Sequence, residues 1–249
     1  MSLDAPRTCH DPVCGAPPGT ATPGCLSCGA ELVYLQHAEP MTCAGCGARH
    51  ESNARCVAGH FFCDACHSTS AVDTIERRLA AADETDPVAL ALAMMRHPKV
   101  KMHGPEHHFL APAVLVTAWC NLTGEPARKP ALLAEVRRRS APVAGGFCGY
   151  QGACGAAVGT GIFASVVTGA TPVNGAGRGV ALRITGEALG VLGRLDAPRC
   201  CKRDVFLSLL TATRFARRHL GVTFPSRGVK CEFSASNAEC IAERCPFHR

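Results

Sequence analysis

The sequence predicts a mainly α protein: an all-helical domain preceded by a small zinc-binding module of ribbon or RING-like type. Three observations carry this. Cysteine pairs at zinc-ligand spacing are confined to the stretch before His67. After Asp73, apolar residues recur at three and four spacing, the signature of helices with one buried face. Strand-like sequence is scarce outside Glu31-Leu-Val-Tyr-Leu35. At 249 residues, 47% hydrophobic and 18% charged, the chain is long enough for one sizeable core and an appendage. The expected divisions are a flexible Pro/Gly-rich leader over 1–24, a two-zinc module over 25–72 and a cysteine-rich helical domain over 73–249.

The module is read first. Cys25-Leu-Ser-Cys28 and Cys43-Ala-Gly-Cys46 are each followed by glycine, Gly29 and Gly47, and are separated by fourteen residues containing the strand-like run. Two such turns across a hairpin suit zinc, which takes four soft ligands tetrahedrally. Cys56-Val-Ala-Gly-His60-Phe-Phe-Cys63-Asp-Ala-Cys66 supplies four more ligands and resembles the central Cys-x3-His-x2-Cys-x2-Cys stretch of RING modules. Two pairings stay open: consecutive pairs form two sites, or Cys43 and Cys46 join Cys63 and Cys66. Either way all positions are filled, which implies a structural role for two zinc ions. Cys9, His10, Cys14 and His67 read as loop residues.

The helices follow in order. Asp86-Pro87 caps one with proline at its first position. Others are expected over Ala113 to Leu122, Leu132 to Arg139, about Ala153 to Thr168, Leu182 to Leu195 and Lys202 to Leu220, the last stopped by Gly221. Ser236 with Glu239 three positions on has a capping-box pattern and predicts a final short helix. The Ala153 to Thr168 helix is expected at the centre, since Gly155, Gly159, Gly161 and Ser165 let neighbours approach. No charged residue occurs between Arg139 and Arg178. Pro142, Gly145, Gly146, Gln151 and Pro172 break that stretch, so it reads as a buried helix rather than a membrane span.

The chemistry is expected in the helical domain. Glycines crowd the stretch from Gly145 to Gly159 around Cys148 and Cys154, and Cys154 falls in the first turn of a helix. A helix N-terminus stabilises a thiolate, so its pKa is expected to fall. Pro198-Arg-Cys200-Cys201-Lys-Arg-Asp204 opens another helix with cations beside two thiols. Cys231, Cys240 and Cys245-Pro246 close the set, and Cys120 beside Trp119 reads as a buried, inert thiol. Cys148, Cys154, Cys200 and Cys201 are expected around one pocket with Cys240 and Cys245 near, the seven cysteines forming a pool for an iron-sulfur cluster or for thiol exchange.

Met102-His103-Gly-Pro-Glu106-His107-His108 contains the His-x-x-Glu-His spelling of inverted zinc peptidases. Gly104-Pro105 places His103 before the first helical turn, so the two histidines do not stack. His103, Glu106 and His107 are instead expected as a charged cap aimed at the glycine-rich loop, with a proton-relay or structural role.

Cys154-Gly-Ala-Ala-Val-Gly159 resembles the Cys-Gly-Ala-x-x-Gly motif of a family of small helical candidate redox proteins with four characteristic cysteines. Over nearly its full length the chain is also similar to an uncharacterised cysteine-rich family of anaerobic bacteria and archaea, a domain of unknown function. The carrying segments are Ser52 to Ser68, His103 to His108, Gly145 to Gly159, Cys200 to Asp204 and Cys240 to Pro246. The first resemblance implies redox chemistry; the second implies no activity.

The start has no basic, apolar and small-residue signal pattern, and thiols in Cys-x-x-Cys pairs suit a reducing compartment, so a cytoplasmic location is expected. The preferred function is a metal-binding thiol or iron-sulfur redox protein handling electrons or sulfur, with an unknown redox or sulfur-transfer protein as partner and no membrane. The net charge of +6 permits nucleic acid without demanding it. The alternatives are a zinc-ribbon nucleic-acid-binding or RNA-modifying protein and a structural zinc adaptor.

Overall fold

The computed structural model describes residues 25, 27, 28, 30–63, 66 and 70–248. The leader with Cys9, His10 and Cys14, and also His67, lies outside the described residues. The chain divides into two compact units, Met1–Cys63 and Asp64–Arg249.

The first unit is a hairpin. β1 (Leu32–Thr42) pairs antiparallel with β2 (Arg49–Cys56), with a register shift between Tyr34 and Glu39 where β1 bulges. Most of β1 is exposed, Tyr34 to 74%, and the described side chains buried here are mainly Met41, Phe61 and cysteines. A two-stranded hairpin with so little apolar surface is marginal without help.

The second unit is mainly α. Its described helices are α1 (Ala71–Ala81), α2 (Pro87–Met95), α3 (Glu106–Leu122), α4 (Lys129–Ser140), α5 (Phe147–Tyr150), α6 (Gly155–Val167), α7 (Gly175–Leu192) and α8 (Cys201–His219). Caps explain the starts. Ser70 and Asp73 form a capping box for α1, and the Asp86 carboxylate accepts the Val88 and Ala89 amides to open α2. α7 begins before the expected Leu182 because the Asn174 side chain accepts the Gly177 amide and anchors the chain there.

α3 is the most buried helix and shares the centre with α6, the Ala153 to Thr168 helix expected there. It is longer than expected, since Glu106 and His107 already belong to it, and nearly every position from Phe109 to Ala118 is buried. It packs against α1, α2, α4, α6 and α8. The small residues of α6 do what their size suggests. A Cβ on Gly159 would lie 2.6 Å from Pro112 Cδ of α3, and one on Gly161 would lie 2.0 Å from Thr185 Oγ1 of α7. No described helix is long and apolar enough to cross a membrane.

The segment after α8 corrects another expectation. The helix read from Ser236 does not form. Ser234–Ser236 and Ala242–Arg244 are single 3-10 turns, because Asn237 and Glu239 turn toward His103 instead of capping a helix. This irregular segment is pinned by packing: Phe247 is buried edge-on against Phe206, and the Cys231 amide donates to the Phe247 carbonyl at 2.7 Å.

Candidate metal centres and thiol cavities

Two groups of four ligand atoms are assembled by the cysteine-rich N-terminal stretch. Cys25, Cys28, Cys56 and His60 form one; Cys43, Cys46, Cys63 and Cys66 form the other, with the ligand atoms of each within 4.8 Å of one another. Both could hold a metal ion. Hairpin geometry decides between the two pairings. Leu32 pairs with Cys56 at one end of the ladder, and Thr42 with Arg49 at the other. Cys28 before β1 therefore meets Cys56 at the end of β2, while Cys43 and Cys46 sit at the opposite end. A bridge between Cys43 and Phe61 then brings Cys63 to them. The pairing formed is the cross-braced one.

Backbone amides point at these sulfurs. Ser27 N–H donates to Cys25 Sγ at 3.3 Å, Gly45 N–H to Cys43 Sγ at 3.3 Å and His60 N–H to Cys56 Sγ at 3.2 Å. Burial alone would push the Cys43 thiol up, but the amides of Cys63, Cys46 and Gly45 outweigh it and bring it down to about 6. Cys56 also falls to about 6, burial being outweighed chiefly by the His60 amide and the Cys25 thiol. Such thiols are poised to become the thiolates that metals bind.

The seven cysteines of the helical domain do not share one pocket. Cys200, Cys231, Cys240 and Cys245 line a small cavity of about 20 Å³, walled by Met102, Arg203, Phe206, Phe233, Asn237 and Phe247. The amide-to-sulfur turn seen at Cys25 and Cys43 recurs here: Phe233 N–H donates to Cys231 Sγ and Ala242 N–H to Cys240 Sγ, both at 3.4 Å. Cys148 and Cys154 line a second cavity with Arg199, Arg203, Asp204 and Leu192. Arg203 belongs to both walls. Cys201 lines neither; its sulfur faces the Gly104 amide and lies near enough to feel both Cys154 and Cys200. The split falls at the start of α8, where Cys200 is the extended N-cap residue and Cys201 the first helical one, so their side chains leave the backbone in different directions.

The expected fall in thiol pKa at helix N-termini is not found. Burial, with the Asp204 carboxylate, pushes Cys154 up to about 11 against the pull of the Ala157 and Ala156 amides. Burial raises Cys200, and it raises Cys201 to about 12. Desolvation of the charged form exceeds what a few amides and a helix dipole return.

A family model described as a family of unknown function (DUF5714) matches residues 75–248. The chain belongs to the DUF5714 family. The match spans all seven of these cysteines, while the two metal-ligand groups precede it. No curated protein and no solved structure matches the chain.

In this DUF5714 chain the histidine segment diverges rather than converging on a metal. His103 leaves toward the C-terminal segment, where Nε2 donates to Asn237 Oδ1 at 3.1 Å and to Glu239 Oε2 at 3.0 Å. Asn237 in turn donates from Nδ2 to Cys200 Sγ at 3.6 Å. The residues thus form a chain from the half-exposed Glu239 to a buried sulfur. Glu106 accepts the Lys101 amide at 2.9 Å. His107 donates from Nδ1 to the Gly104 carbonyl, and its buried Nε2 has no partner. The glycine-rich stretch is met by His108 instead, whose ring occupies the space a Gly155 Cβ would take and whose Nδ1 donates to the Val143 carbonyl at 2.8 Å.

Sequence reasoning missed Asn237, which it read as part of a helix start, and the burial of Lys202. The Lys202 ammonium donates to the Met95 carbonyl at 3.0 Å and lies 4.2 Å from the Phe233 ring centre. Burial brings it down to about 8, opposed by Glu106 and by Cys200, Cys201 and Cys231. Its place directly after two thiols was the available signal.

Proposed function

We propose that this chain is a cytosolic metal-dependent redox protein. In this reading the N-terminal groups hold two structural zinc ions, and the cavity of Cys200, Cys231, Cys240 and Cys245 holds an iron-sulfur cluster. The observation that carries it is the convergence of those four thiols, from the N-cap of α8 and the irregular C-terminal segment, on one cavity.

The two kinds of site suit different metals. In the N-terminal groups, Cys28 and Cys56 sulfurs are 3.9 Å apart and Cys46 and Cys63 sulfurs 4.0 Å apart. Tetrahedral bonds of about 2.3 Å to one zinc ion require ligand separations of roughly 3.8 Å. Among the described residues, the cavity cysteines form no comparable group within 4.8 Å. Thiolates set wider than a single ion requires suit a cluster, whose body would stand between its ligands.

When bound, a cluster would supply one-electron transfer. The chain's own residues would set its surroundings. The Phe233 and Ala242 amides and the Asn237 side chain donate to the sulfurs, and such bonds stabilise the more electron-rich state. The buried Lys202 adds positive charge beside Cys200 and Cys231. Phe206, Phe233 and Phe247 keep the walls apolar.

The nucleic-acid reading has less support, because the arginine run at the end of α4 is engaged. Arg137 pairs with Asp73 and Glu76, and Arg138 and Arg139 both pair with Glu135, each at 2.6 Å. Anaerobic purification followed by metal and acid-labile sulfide analysis is the test. Iron and sulfide in equal amounts, with two zinc ions per chain, are expected; Cys240→Ser should lose the iron and keep the zinc. Zinc alone in the anaerobic protein would end the cluster reading in favour of an adaptor or nucleic-acid role.

A further inference from the structure

The cavity of Cys148 and Cys154 is separate from the four-thiol cavity and is built differently. The chain enters it through Gly146 at φ +85°, makes the single turn of α5, and leaves through Gly152 at φ +64°. Glycine is favoured at both positions because they lie in the left-handed region. The Ala153 amide then donates to the Phe147 carbonyl at 3.1 Å and closes the loop at its neck. Cys148 follows one partner of that bond and Cys154 follows the other, so the neck holds two thiols six residues apart beside the same cavity. Cys148 is exposed and Cys154 is half-buried. The remaining wall includes Arg199, Arg203 and Asp204, with Leu192 as an apolar surface, around a cavity of about 370 Å³.

We propose that Cys148 and Cys154 are a thiol-disulfide exchange pair, and that their cavity takes a low-molecular-weight disulfide bearing an anionic group. This rests on the redox reading of the domain but needs no cluster. The exposed Cys148 thiolate attacks one sulfur of the bound disulfide. That S–S bond breaks, one ligand thiolate departs and takes a proton from water, and a mixed disulfide joins Cys148 to the other half. Cys154 then gives its proton to water and attacks the Cys148 sulfur, releasing the second ligand thiol and leaving a Cys148–Cys154 disulfide. Two electrons have passed from the protein dithiol to the ligand, whose disulfide becomes two thiols; a protein dithiol reductant restores the pair by the reverse exchange. Burial keeps Cys154 protonated until it is needed, which orders the two attacks. Arg203 is paired with Asp204 at 3.1 Å, and with Arg199 the wall keeps a formal excess of one positive charge, which favours an anionic ligand.

The experiment uses the full-length, reduced, metal-loaded protein under anaerobic conditions, with glutathione disulfide as the anionic probe and cystamine as the cationic one. Alkylation and peptide mass mapping follow each thiol, and both rates are divided by those of the same probes with a free small thiol. Wild-type protein should form the Cys148–Cys154 disulfide. Cys154→Ser should stop at a glutathione adduct on Cys148, and Cys148→Ser should form neither product. The normalised rate should favour glutathione disulfide by about tenfold, with the preference shrinking as salt rises. Separate adducts on both cysteines of the wild-type protein, no reaction at Cys148, or an equal normalised rate for cystamine would overturn the proposal. The wild-type mapping alone decides the first two points, so a variant that fails to fold does not shelter the idea. Iron and sulfide measured on the same sample report the cluster separately: exchange without iron removes only the cluster, and iron without exchange removes only this pair.

Discussion

Cys154 is the N-cap residue of α6, near the Ala157 and Ala156 amides, and its thiol still rises to about 11. Single residues in this domain are governed by desolvation more than by helix dipoles. His107 shows the same balance with the opposite charge: burial, then the Lys202 ammonium, hold its ring down to about 3. The unfolded chain, with a histidine near 6.5, takes the proton first. Stability is therefore unaffected by His107 above about pH 6.5 and is lost as pH falls toward 3, at roughly 1.4 kcal/mol per pH unit. In urea titrations the wild type should lose about 1 kcal/mol more than His107→Gln between about pH 6.5 and about pH 5.5. Equal losses would mean that the folded protein accepts the proton there. Glycine gives a second test at this scale. A Cβ on Gly155 would meet the His108 ring at 2.1 Å, whereas one on Gly149 meets nothing within 4 Å. Gly155→Ala should cost about 1–3 kcal/mol by denaturant titration and Gly149→Ala less than about 0.5 kcal/mol.

Among elements, the hairpin depends most on chemistry outside itself. β1 and β2 bury little, so on the zinc reading ligation would supply the folding free energy, on the order of 10 kcal/mol for structural zinc in small modules. Because Cys43 and Cys63 belong to the same ligand group, Cys43→Ser combined with Cys63→Ser should lower the metal content from two ions to one. Loss of both ions would point to the consecutive pairing, in which those residues serve different sites. The helices need no such aid. Caps at Ser70, Asp86 and Asn174, an apolar α3 and the glycine contacts of α6 hold the longer helices in place, and some boundaries moved from the sequence reading where residues outside the periodic pattern started the helix. Asn174 did so for α7. Proline and glycine before Glu106 started α3 earlier than its apolar run suggested.

For the molecule as a whole, two compact units imply separable stability. Strong chelation should abolish the signals of the hairpin while far-ultraviolet helical signal from residues beyond 70 largely persists. A single concerted loss of both would show that the units fold as one. Charge belongs at this scale too. The net charge is +6, and several arginines are locally balanced by carboxylates, including Arg218 with Glu187 at 2.6 Å and Arg96 with Glu232 at 2.6 Å. RNA or DNA binding should accordingly be weak, unselective and steeply salt-dependent in filter or anisotropy assays. Selective submicromolar binding at physiological salt would reverse the order of the functional readings.

The amino-acid sequence by itself determined the mainly α class, the eight ligands of the metal groups and the cysteines worth attention. These are local matters: helix periodicity, Cys-x-x-Cys turns and glycine before a helix are written within a few residues of one another. Tertiary structure decided what is non-local. The hairpin register chose which ligands meet, since Cys28 and Cys56 become neighbours only through strand pairing. The fold of residues after α8 carried Cys231, Cys240 and Cys245 to Cys200 without any periodic pattern to announce it, and the adjacent Cys201 was turned away where the helix begins. Thiol acidity was also decided there. A sequence shows the helix dipole that would lower a pKa, but only packing shows the water that has been removed.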